Sequence, residues 1–320
     1  MRGRFGALAV ATAAVIVMVL VNGIAAAAAT LPVSSPRIVA HFDPDAGQSP
    51  EGIALEPDGT ADISMARASN AVRVTLDGRS ELLGQLPRTG GCPFLGFPVS
   101  AGIARAHDGS VYLANCTGNA DTGIWRLRRG ARPVEIARLP ASSFPNDMTL
   151  DERSGRLYLA DSLLGAVWTV PATGGTPRIW ATGPALARTS LFGANGIDVH
   201  DHAVWVGNTD QGTILRIAID RDGTAGPIQT AVSGLAGAVD DFIVLGRDDT
   251  IIAALAGSNE VISVRPGAQP QVLLTAADGL STPSDVALRH GTIYVSSLGL
   301  PPLTDPNLLV AHFARTGADR

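Results

Sequence analysis

A three-residue pattern recurs six times along this chain: a polar or small residue, then Gly or Asp, then an apolar residue. It reads Glu51-Gly52-Ile53, Ala101-Gly102-Ile103, Asn146-Asp147-Met148, Asn195-Gly196-Ile197, Asp240-Asp241-Phe242 and Ser284-Asp285-Val286. Successive copies start 50, 45, 49, 45 and 44 residues apart. A period of about 40 to 50 residues is the sequence mark of propeller blades.

Each copy leads into the same series. A polar turn follows, such as Pro57-Asp58-Gly59, His107-Asp108-Gly109 or Arg153-Ser154-Gly155. Apolar strands come next at 111–114, 157–160, 204–207, 251–254 and 293–295. Third strands fall at 71–76, 124–127, 167–170, 214–219 and 261–264, and fourth strands at 81–86, 134–139, 178–181, 228–232 and 272–275. Short β-rich runs between Gly, Asp and Pro turns read as antiparallel hairpins. No sustained 3.6-residue period appears after the first 30 residues. The sixth unit lacks a fourth strand, while residues 38–42 form a strand with no unit of their own. The expected fold is therefore an all-β, six-bladed propeller with four antiparallel strands per blade. The N-terminal strand completes the last blade, so no junction is left open. The expected propeller domain is 31–320.

Residues 1–30 read as an export signal. Arg2 and Arg4 precede an apolar run at 7–21, which is short for a membrane span. Small residues at 25–29 suit signal-peptidase cleavage. The alternative is an uncleaved anchor, the one route to a membrane. Losing Arg2 and Arg4 with the leader takes the net charge from −5 to −7. That sign argues against nucleic-acid binding. The chain contains no Lys, which excludes Schiff-base and P-loop lysine chemistry. Its 46% hydrophobic and 17% charged composition excludes disorder. An exported chain can keep disulfides, and Cys92 and Cys116 are the only pair available. The alternative is two buried free thiols.

Ring closure has a chemical consequence. In a propeller the innermost strand of each blade lines the central channel. The first motif position then forms a ring of Glu51, Ala101, Asn146, Asn195, Asp240 and Ser284. Two carboxylates and two amides with no His or Cys suit a hard divalent cation, Ca²⁺ ahead of Mg²⁺ and Zn²⁺. Waters, amide-to-acid hydrogen bonds or Arg side chains are the protein-only alternatives.

The motif ring, the period and the exported six-blade plan resemble the gluconolactonase and senescence-marker-protein (regucalcin-like) family, with paraoxonases and diisopropylfluorophosphatase as more distant relatives. The resemblance spans about 36–315. It implies a catalytic Ca²⁺ held by Glu in the first blade, Asn in the third and fourth, and Asp in the fifth. Those blades present Glu51, Asn146, Asn195 and Asp240. Asp147 and Asp241 depart from the Gly often found after the ligand. The channel His that some relatives use near the ion has no counterpart on the ring. His107, His200 and His202 are expected in turns, and His41 and His312 in outer strands.

The implied activity is Ca²⁺-dependent hydrolysis of a lactone or ester by a monomeric exported enzyme. The ion would polarise the carbonyl and stabilise the developing oxyanion. Asp240 is the first candidate for base or nucleophile, and Asp241 the second. The segments 88–99 and 182–194, with Phe94, Phe97, Leu191, Phe192 and nearby Trp180, are expected above the channel. Apolar walls there would suit a hydrophobic substrate; packing between blades is the alternative reading of these aromatics. Two other function classes stay open. One is a non-catalytic binding propeller with the ion as a structural pin. The other is a lyase or a strictosidine-synthase-like condensing enzyme.

Overall fold

The computed structural model describes residues 33–313. The expected leader and its cleavage site lie outside these residues. Among the described residues, no helix is long and apolar enough to cross a membrane. The only helical segment among them is one 3₁₀ turn, Ala276–Asp278.

Six antiparallel four-stranded sheets form six blades. Their innermost strands are Pro50–Leu55, Val99–Arg105, Pro145–Asp151, Ala194–His200, Val239–Leu245 and Pro283–Arg289. The last blade is completed from the other end of the chain. Val33–His41 pairs antiparallel with Asn307–Phe313, as the leftover N-terminal strand required. Side chains also tie this junction, with Ser284 Oγ and Ser296 Oγ both donating to Glu51 O at 2.9 and 2.8 Å. The closure leaves no gap between first and last blades.

The apolar residues of the strands meet between blades. Six buried clusters sit one at each junction. Trp205 and Ile214 pack on Phe242 and Ile251; Tyr158 and Val167 pack on Ile197 and Val204. Tyr112 meets Met148, Ile252 meets Val286, Tyr294 meets Ile53, and Ala71 meets Ile103. Each fully buried large side chain contributes about 1.5–3 kcal/mol. The first junction departs from the pattern. Asp62 pairs with Ala54 in the position where Tyr112, Tyr158, Trp205 and Tyr294 stand in other blades. It is fully buried and takes Arg73 Nε at 3.1 Å and Arg105 Nη1 at 2.9 Å. Burying that carboxylate needs both partners.

Every innermost strand breaks register at the motif. The shifts fall between Pro50 and Ile53, Ser100 and Ile103, Pro145 and Met148, Ala194 and Ile197, Val239 and Phe242, and Pro283 and Asp285. A β-bulge of this kind re-aims side chains. Here it explains why the first and second motif residues of one strand both line the channel.

Crowding on the axis decides which second residues carry a side chain. A Cβ on Gly102 would lie 2.4 Å from Asp147 Cα, and one on Gly196 would lie 2.5 Å from Asp241 Oδ1. Glycine is required where the next blade's acid comes that close.

Candidate functional site

The six motif copies converge on one small cavity. Glu51, Asn146, Asn195 and Asp240 all line it, as do Asp147, Asp241 and Ser284. Its volume is about 10 Å³, room for about one water-sized occupant. All four sequence-nominated ligands and both nominated catalytic acids are thus brought together. Ala101 is covered by apolar neighbours and brings no donor. Ser284 spends its one hydroxyl hydrogen on Glu51 O, the nearer of the two carbonyls beside it.

The hydrogen bonds orient the amides. Asn146 Nδ2 donates to Ser162 Oγ at 2.9 Å. Asn195 Nδ2 donates to Thr209 Oγ1 at 2.8 Å and to Asp240 Oδ1 at 2.9 Å. Each amide is planar, so its carbonyl oxygen faces the other way. Glu51 Oε2 is buried with no hydrogen-bond partner.

The second-position acids do two jobs. Asp147 Oδ2 accepts from Ile197 N at 3.0 Å, and Asp285 Oδ2 accepts from Ile53 N. Asp198 does the same for Val244 N at 2.8 Å. Each joins its blade to the next by capping a backbone N–H that faces the channel. Asp241 Oδ1 accepts from its neighbour Phe242 N at 2.7 Å. Asp147 and Asp241 also face a larger cavity of about 260 Å³ further along the channel, which Asp198, Asp285 and Arg105 line. The part played by Asp285 and Asp198 is not an expectation of the sequence. Asp285 sits in the repeat and is legible as a channel residue; Asp198 lies just past its own motif copy and carries no signal.

Burial dominates the electrostatics. It pushes Glu51 well above the usual carboxylate range, with the charges of Asp240, Asp285 and Asp147 adding to the effect. Burial raises Asp240 to about 7 against the pull of the Asn195 hydrogen bond, and raises Asp285 to about 7. Asp147 and Asp241 are pushed up by burial and then by neighbouring acids. Five acids this close and this dry cannot all stay charged alone.

The donor set answers that repulsion chemically. An unpartnered buried carboxylate oxygen, a second carboxylate and two amides turned by their hydroxyl acceptors make an all-oxygen set of the kind that suits Ca²⁺. The residues fit such an ion. Among the described residues, no group of three or more His, Cys, Asp or Glu side chains is arranged to hold a metal; a ring of two carboxylates and two amides is a different kind of set.

The face above the ring is apolar. Cys92 and Cys116 are joined in a disulfide that pins the 88–99 segment. Phe144, Phe97, Phe192 and Leu298 gather with Ala101 and that disulfide. Phe192 stands edge-on to Phe94 at 6.2 Å and to Phe144 at 5.5 Å, so the two long segments touch. Phe94 is 61% exposed. Trp180 belongs elsewhere: it packs on Tyr158 and donates to Gly223 O, between blades three and four. His107 is exposed in a turn, but His200 ends an innermost strand, where its ring bonds Gly246 O at 2.6 Å. No His reaches the cavity.

No family model and no curated protein matches this chain. Solved structures do match in fold. A gluconolactonase from Xanthomonas campestris is 17% identical, with a TM-score of 0.63 over 88% of this chain and 95% of that one. A regucalcin from Agrobacterium tumefaciens, described as calcium-binding, is 17% identical, with a TM-score of 0.64 over 88% and 94%. A virginiamycin B lyase from Staphylococcus aureus is 16% identical, with a TM-score of 0.58 over 88% and 100%. At these identities the likeness is one of fold, and one scaffold hosts different chemistries.

Proposed function

We propose that this chain is an exported hydrolase of lactones or esters, with Ca²⁺ held at the channel ring. One observation carries the reading: the buried, unpartnered Glu51 Oε2 beside Asp240 and two amides whose N–H groups are turned to other acceptors. The fold likeness to a gluconolactonase and a calcium-binding regucalcin supports it.

Glu51, Asn146, Asn195 and Asp240 would hold the ion. When bound, it would supply Lewis-acid polarisation of a substrate carbonyl and charge stabilisation of the developing oxyanion. The chain's own groups do the rest. Asp240 takes the proton of the attacking water or acts as nucleophile, and Asp241, on the same cavity, is the second candidate. The apolar roof excludes water from the reacting centre. It also favours a substrate with an apolar substituent over a free sugar acid. The Cys92–Cys116 bridge agrees with export, because such bonds persist in oxidising compartments.

The test uses the purified chain. Bound metal is measured first, then hydrolysis of aryl esters and of apolar and sugar lactones, with Ca²⁺ and with EDTA. Hydrolysis that needs Ca²⁺ and vanishes in Asp240→Asn, with the fold retained, supports the reading. Full activity in EDTA removes the ion, and full activity in Asp240→Asn removes that acid. Ca²⁺-dependent stability with no hydrolysis would instead identify a binding propeller pinned by its ion.

A further inference from the structure

We infer that Ser162 and Thr209 are positioning residues that set which end of the Asn146 and Asn195 amides faces the channel ion. The inference rests on the Ca²⁺ site proposed above and concerns two side chains outside the ring.

A hydroxyl has one hydrogen. Ser162 Oγ donates it to Ala194 O at 2.7 Å, and Thr209 Oγ1 donates it to Val239 O at 2.8 Å. With that hydrogen committed, each hydroxyl oxygen can only accept. Its neighbour must therefore be the N–H end of the amide, at 2.9 and 2.8 Å. The reversed amide would set two acceptors against each other in a buried place, at the cost of an unmade hydrogen bond. The carbonyl oxygens are thereby directed away from the hydroxyls. Ala194 and Val239 directly precede Asn195 and Asp240, so each hydroxyl also ties one ligand to the backbone of the next.

The repeat carries its own control. Both hydroxyls occupy the residue just after the second strand of their blade, following Asp161 and Asn208. In the blades whose ring residue is an acid, Glu51 and Asp240, the same place holds Ala66 and Ala256. A carboxylate has two equivalent acceptor oxygens and needs no orienting partner. An amide has two different ends and does. In blade two, where the ring residue is Ala101, the strand register puts Cys116 at that place, and its sulfur is held in the bridge to Cys92.

The experiment is Ca²⁺ titration calorimetry on the full chain. Ser162→Ala should weaken Ca²⁺ about 10-fold, the low end for losing a residue that orients a metal ligand. Thr209→Val should cost less, about 3-fold, because Asp240 still holds the second Asn195 hydrogen. Ser162→Thr and Thr209→Ser should keep wild-type affinity. The deciding comparison is Asn146→Asp with and without Ser162→Ala. A carboxylate has no N–H end to orient and sets an acceptor against the Ser162 oxygen, so Ser162→Ala should no longer weaken binding there and should leave it unchanged or tighter. If Ser162→Ala weakens binding equally in both backgrounds, or leaves the wild-type background unchanged, the positioning role is overturned while the ion site stands. No Ca²⁺ binding by the wild-type chain overturns the site and the inference together. Should Ser162→Ala fail to fold, the wild-type chain still decides. The Asn146 Nδ2 protons must exchange slowly and show nuclear Overhauser contacts to Ser162, and their absence refutes the assignment.

Discussion

Stripping divalent cations from this protein should make its stability fall as pH rises through neutrality. Burial holds Asp240 and Asp285 at about 7, against about 4 in an unfolded chain. A carboxyl with a raised folded pKa binds its proton more tightly in the native state. Its contribution is complete below about pH 4 and lost as pH climbs to about 7. Between pH 5 and 7, one such group loses about 2 kcal/mol. Asp62, raised by burial to about 6 despite its two arginines, adds in the same sense. Surface acids oppose this: hydrogen bonds lower Asp58, Asp108 and Asp222. Those groups titrate below about pH 4, outside the window. For a fold of about 280 residues, the unfolding entropy near 60 °C is about 0.6 kcal/mol/K. One channel acid then moves Tm by about 3 °C, and two by about 7 °C. The assay is calorimetric Tm in EDTA at pH 5, 6 and 7. Asp285→Asn should flatten the slope, since an amide oxygen can still accept from Ile53 N. A Tm that stays level or rises from pH 5 to 7 in the chelated protein would refute the reasoning.

Other predictions concern the same channel and its roof. Glu51→Gln should weaken Ca²⁺ binding by at least about 10-fold, while circular dichroism shows an unchanged fold; wild-type affinity would exclude Glu51 as a ligand. Gly196→Ala drives a Cβ against Asp241 Oδ1 and Asp240 O, which should cost about 1–3 kcal/mol. Thermal unfolding checks that against Gly183→Ala, where the nearest atom is Ile228 Cδ1 at 3.4 Å and little change is expected. Replacing Cys92 and Cys116 by Ser opens a loop with a sequence separation of 24. That should lower stability by about 3 kcal/mol, read by denaturant titration. Phe192→Ala removes the ring between Phe94 and Phe144. KM should rise for apolar esters more than for sugar lactones, and equal changes would deny the roof a part in substrate choice.

Much of this is legible in the residues alone. A repeat imposes symmetry, and symmetry places like residues at like depth. The six motif copies therefore locate the blades, the ring of Glu51, Asn146, Asn195 and Asp240, and the strand that closes the last blade. The pairing of Cys92 with Cys116 follows from there being no other thiol. Other features depend on contacts between blades, which a one-dimensional pattern does not encode. Asp147 and Asp285 look like spare acids until the neighbouring N–H groups of Ile197 and Ile53 come into reach. Asp62 replaces an aromatic residue, and only the approach of Arg73 and Arg105 makes its burial tolerable. The direction of each ring amide is likewise set across blades, by a hydroxyl whose hydrogen belongs to a carbonyl on the innermost strand of the next blade. Residue identity along a repeating chain decides which groups share the axis. Which way those groups point, and which of them can be charged, is decided by the packing that removes water and brings distant backbone within hydrogen-bond range.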